Sequence, residues 1–203
     1  MTALPHGFTL RLPPSWVEFD VWRATRTGDL GRVLDGHIAR TPEVAPHRGV
    51  LLRLLREVAA DAERKGALFC AVMLEPADDA AMLVASLMVL RTAGASDPAG
   101  NTVEVIAGQV SAIAPSDGSP VWRNVEPVEL PAGRAVRVRG VETVSLGDRE
   151  PVACAVMQTL LPVPGGKGVL NVVCTSPQVQ LAEPMLDLFD AISGTLAWSP
   201  RRP

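Results

Sequence analysis

Apolar and polar residues alternate over Phe8-Thr-Leu-Arg-Leu12, the period of a half-buried strand, and Pro13-Pro14 ends it. The alternation resumes from Trp16 to Trp22. Val17, Phe19 and Val21 share one face of this second strand, and Trp16, Glu18, Asp20 and Trp22 share the other. A helical spacing follows. Leu30, Val33, Leu34 and Ile38 predict a short helix opening at Gly28-Asp29 and broken by Pro42 and Pro46. Leu51, Leu55, Val58 and Ala62 predict a longer one over Gly49 to Lys65, with Gly66 in the favoured stop position.

Two apolar runs come next, Ala67 to Leu74 and Ala80 to Leu90, with Glu75-Pro-Ala-Asp-Asp79 between them. So short a connection permits an antiparallel hairpin and no parallel crossover. Both runs are apolar on both faces, so helices or a second subunit should cover them on each side. Asp97-Pro98 and Asn101-Thr-Val-Glu104 read as helix starts, the second with Asn101 as cap, and Val103, Ile106, Val110 and Ile113 form the buried stripe. From Val121 the chain reads as a meander. Pro127 demotes its first run to an edge strand, and Gly140 shifts the phase of the next as a bulge would. Val152 to Val163 and Val169 to Thr175 complete it. Leu181, Met185, Leu188, Phe189, Ile192 and Leu196 mark a final helix that must dock on the sheet. The expectation is a single α+β domain over residues 1–203, a central antiparallel sheet flanked by helices on both faces.

Composition narrows the function classes. With 203 residues, 47% of them hydrophobic and 20% charged, the chain can bury a full core without staples. A net charge of −3 argues against a nucleic-acid partner. Lys65 and Lys167 are its lysines, every other cation is arginine, and tyrosine is absent, a bias of actinobacterial type. Cys70, Cys154 and Cys174 sit in apolar runs and are odd in number, which fits reduced core thiols. The start lacks the basic and apolar regions of a signal peptide, and no stretch reaches the length of a membrane span. A cytoplasmic protein without membrane insertion is expected.

Reaction chemistry finds little support. His6, His37 and His47 lack ligand spacing and read as surface or boundary residues, so no metal is expected. No Gly-x-Ser-x-Gly elbow is present. Gly165-Gly-Lys-Gly168 leads into a strand, where a phosphate loop leads into a helix, and reads as a hairpin turn. The pairs Glu18/Asp20 and Asp187/Asp190 fall on solvent faces. No cofactor and no catalytic residue is therefore assigned, and the chain is read as a non-enzyme. Arg123, Arg134, Arg137 and Arg139 could form a basic strip, although Glu126, Glu129, Glu142 and Glu150 interleave with them. Trp16 and Trp22 stand on a nominally polar face, and tryptophan is enriched at binding hot spots. Trp16, Trp22, Arg137 and Arg139 are the partner-contact candidates. The reading is a protein-interaction or adaptor domain whose partner is another protein or a second copy of itself. The alternatives are a carrier for a small apolar ligand held by Met73, Met82, Met88 and Met157, or an enzyme with a dispersed site.

The two ends also carry a resemblance. Phe8-x-Leu-x-Leu-Pro13-x-x-Trp16 opens the chain. Leu170-Asn-Val-Val-Cys-Thr-Ser-Pro177, Leu186-Asp-Leu-Phe-Asp-Ala-Ile-Ser193 and Leu196-Ala-Trp198 close it. Together they resemble the PsbP-like superfamily, which includes a Ran-binding nuclear-import factor. The resemblance implies an α/β/α sandwich that acts by binding proteins, with no catalytic set to carry over. The long Gly49 to Lys65 helix and the two-sided apolar hairpin depart from that pattern.

Overall fold

The chain's opening strand returns to its end. In the computed structural model, which describes residues 7–27, 29–77, 81–95, 98–113, 122–144, 150–165 and 168–199, β1 (Gly7–Thr9) pairs antiparallel with β9 (Ala197–Ser199), Phe8 facing Trp198. The remaining strands form one antiparallel sheet. They are β2 (Trp16–Glu18), β3 (Phe69–Pro76), β4 (Met82–Ala93), β5 (Trp122–Leu130), β6 (Gly133–Val144), β7 (Val152–Pro162) and β8 (Gly168–Ser176), in the order β2-β3-β4-β8-β7-β6-β5. The helices are α1 (Val21–Thr27), α2 (Leu30–Ile38), α3 (Arg48–Arg64), α4 (Val103–Ala112) and α5 (Ala182–Ser193).

Both sheet faces are covered, as the doubly apolar hairpin requires. One face carries Met73, Leu87, Met157, Val172 and Cys174, and α5 lays Met185, Leu186, Phe189 and Ile192 across them. The β1–β9 pair closes that layer with Phe8 and Trp198, whose indole nitrogen donates to the Ala132 carbonyl at 2.9 Å. The opposite face is covered in two pieces. α1, α2 and α3 pack Leu34, Leu51, Leu55 and Val58 onto Cys70, Val72, Leu74 and Met88 of β3 and β4. α4 packs Val103 and Ile106 onto Val136 and Val169 at the other end.

Three local readings change. The alternation from Trp16 to Trp22 is not one strand: β2 ends at Glu18, because Asp20 accepts from the backbone amides of Trp22 (2.9 Å) and Arg23 (3.1 Å) and so caps α1. Asn101 is not the cap of α4. It belongs to a short 3-10 turn and its amide holds Ala95, while Thr102 accepts from Val105 N at 3.3 Å. Gly140 is not a bulge, since β5 and β6 pair without interruption from Trp122–Val141 to Leu130–Gly133. A Cβ at Gly140 would lie 2.2 Å from the Trp122 carbonyl, so the glycine permits a close approach of backbones. Gly66, at φ +66°, ends α3 as its position implied.

Candidate functional site

The gap between the two helical pieces is the feature that the fold leaves open. Alternation aims Val84 and Ser86 of β4, Thr175 of β8, Cys154 of β7 and Val144 of β6 into this gap. α3 walls one side with Leu54 and Val58. A groove of about 190 Å³ results, lined mostly by aliphatic side chains, with Val152 and Glu150 beside it. Val152 is 51% exposed. On the floor, the Ser86 and Thr175 hydroxyls bond each other at 2.7 Å. That bond uses one of the two hydroxyl hydrogens, so the floor keeps one polar spot within an otherwise aliphatic lining. Gln178 braces the wall: its Oε1 accepts from Val84 N and the Ser176 hydroxyl, and its Nε2 donates to the Met82 carbonyl.

Chemically this groove is quiet. Burial pushes the Cys154 thiol up, which keeps it protonated at neutral pH and a poor nucleophile. No histidine lines it. Among the described residues, no group of three or more His, Cys, Asp or Glu side chains could hold a metal ion. The methionines pack in the cores, Met73 and Met157 beneath α5 and Met88 beneath the α1–α3 layer. A ligand carrier ordinarily encloses a cavity of roughly 300–1,000 Å³. The groove between the helices falls short of that. Larger spaces of 380 to 540 Å³ are grooves at the outer corners of the sheet, with mixed polar linings.

The structure separates the four partner-contact candidates. Trp16 is 6% exposed, in the core on the α5 face of the sheet, whereas Trp22 is 55% exposed on α1, in the layer of the opposite face. Arg137 and Arg139 lie on the α5 face of β6. Arg137 is buried, pairs with Asp190 and donates to the Ser193 hydroxyl at 3.0 Å. Burial holds its pKa below the ordinary guanidinium value. Arg139 reaches Glu183 at 3.6 Å. Arg123 and Arg134 point to the other face, toward Glu142 (3.5 Å) and Glu104 (2.8 Å). The four arginines are thus divided between two faces and paired with carboxylates within the chain.

His37 also departs from expectation. It is 2% exposed, and its Nε2–H donates to the Leu74 carbonyl at 2.9 Å. His6 lies outside the described residues.

No family model matches the chain, and no curated protein matches it. Among solved structures, it is similar to LpqN of Mycobacterium tuberculosis, described as involved in cell envelope biogenesis. The identity is 11%, the match covers 96% of this chain and 86% of LpqN, and the TM-score is 0.46. Among the described residues, no helix is long and apolar enough to cross a membrane.

Sequence reasoning missed the groove because none of its residues forms a motif. Leu54, Val84, Val144 and Val152 each read as ordinary apolar positions. A hint lay in Val152, an apolar residue at the start of a strand run to which no helix was assigned.

Proposed function

We propose that this chain is a non-enzymatic protein-interaction domain, PsbP-like in kinship, that takes an apolar anchor of a partner protein into the groove between α3 and the β6–β7 end of the sheet. The observation that carries this is the groove of about 190 Å³, lined mostly by aliphatic side chains, with one bonded pair of hydroxyls on its floor. It has room for one or two apolar side chains and too little for an enclosed ligand. Interfaces concentrate their energy in such small desolvated pockets. The opening and closing motifs support the kinship. Three unpaired, buried cysteines support a reducing, cytoplasmic setting.

The test compares the full chain with Val152→Asp, a change at an exposed strand end beside the groove that leaves the core intact. Val105→Asp, on the exposed side of α4, is the control. Proteins of the native host held by the wild type and the control should be retained about tenfold less by Val152→Asp, as expected for loss of one buried apolar anchor. Retention unaltered by Val152→Asp would overturn the reading. So would native mass spectrometry showing a small apolar molecule in the purified chain, because the groove would then serve a carrier.

A further inference from the structure

The groove beside α3 restricts the backbone form of whatever enters it. Its floor is laid by β4, β8, β7 and β6, the interior strands of the sheet, each with a hydrogen-bonded neighbour on both sides. The sheet's open edges are β2 and β5. A peptide that binds by adding a strand needs such an edge, and the groove offers none along its floor. Where β8 has ended, the Val84 amide donates to the Gln178 side chain and is not left open. A polyproline segment docks between aromatic side chains, and no aromatic residue lines this groove. Extended main chain laid against aliphatic walls would lose its hydrogen bonds to water without replacement. A helix bonds its own amides and carbonyls and offers side chains alone.

α3 presents a stripe that suits such a partner. Val50, Leu54 and Val58 recur at every fourth residue and share one side of the helix. They grade from solvent to core: Val50 is 64% exposed, Leu54 is half-buried and Val58 is 3% exposed. At 1.5 Å per residue the stripe is about 12 Å long, the length of two turns of a helix laid alongside it. Val152, half exposed, stands on the β7 side of the groove. Charge adds a preference. Glu150 is the one charged side chain among the lining residues, and it is exposed. Among the described residues it enters no ion pair.

We propose that, given the groove as the contact site, the element seated there is an amphipathic α-helix of the partner protein lying along α3. Two of its apolar side chains, four residues apart, enter the groove, and a third rests on Val50. A lysine or arginine on its flank meets Glu150.

The test selects random 16-residue peptides, displayed on phage, for binding to the full chain, and removes those that also bind Val152→Asp. The survivors should repeat apolar residues at i, i+4 and i+7, with a lysine or arginine beside them. As free peptides they should gain helical circular dichroism on binding. A central proline should weaken them by about a hundredfold, the cost of breaking a helix. Val50→Asp should weaken them by about tenfold, and because Val50 is exposed an unchanged thermal midpoint certifies the fold of that variant. Survivors that alternate apolar and polar residues, are rich in proline or carry acids beside the apolar positions overturn the helix and leave the groove as the contact site. Val50→Asp binding like the wild type does the same, because a single anchor in the groove does not reach that residue. Selection that yields no peptide dependent on Val152 overturns both the helix and the groove.

Discussion

The guanidinium of Arg137, buried on β6, meets the carboxylate of Asp190 from the underside of α5. Asp190 itself is half exposed, and Ser193, one turn on, accepts a second bond from the same arginine. The helix is thus tied to the sheet by a buried cation as well as by Phe189 and Leu186. Removing the acid takes away the carboxylate in direct contact and leaves Glu126, the cross-strand neighbour on β5, as the countercharge. Asp190→Ala should destabilise the chain by about 1–3 kcal/mol, measured by urea unfolding. Arg137→Met fills a similar volume without a charge and should cost less than Asp190→Ala. A larger loss for Arg137→Met would show that the pair itself stabilises the fold.

Gly140 faces the β5 main chain at a distance that admits no side chain. An alanine Cβ 2.2 Å from the Trp122 carbonyl forces β5 away from β6. Gly140→Ala should cost about 1–3 kcal/mol, as overpacking does, and should raise hydrogen exchange along β5. Gly133→Ala is no equivalent control, because φ is +124° there and strain arises without any clash.

The buried thiols give the chain an alkaline limit. Burial pushes Cys70 from 9.0 up to about 12, with Asp61 adding to the shift, and pushes Cys174 up as well. Below about pH 9 both states hold the proton and the stability is fully present. Between about 9 and 12 the unfolded thiol ionises first, so stability is lost as pH rises. The slope approaches about 1.4 kcal/mol per pH unit for each such thiol. Unfolding midpoints of wild type and Cys70→Ala between pH 8 and 11 should converge as pH rises. Parallel profiles would refute the assignment.

His37 extends the sheet edge with a side chain. Leu74 N reaches Ser15, but its carbonyl is met by the His37 ring. His37→Leu keeps the packing and strands that carbonyl, at a cost of about 1–3 kcal/mol. Denaturant unfolding checks it, and a loss below about 0.5 kcal/mol would mean that the carbonyl finds another partner.

The order of elements was legible in the sequence because hydrophobic period and backbone period coincide. The four-position spacing of Leu51, Leu55, Val58 and Ala62, the two-sided apolar hairpin and Gly66 each specify a local geometry that tertiary packing keeps. The α+β class and the helices on both faces follow from them. Tertiary structure decided what depends on neighbours distant in sequence. Asp20 ended an alternating pattern by capping a helix, which placed Trp16 and Trp22 in different layers. Gly140 answers to Trp122, and Arg137 answers to Asp190. The groove exists because α3 and α4 cover opposite ends of one sheet face. An exposed apolar position differs from a buried one only in what the rest of the chain lays over it, and a period along the chain carries no record of that.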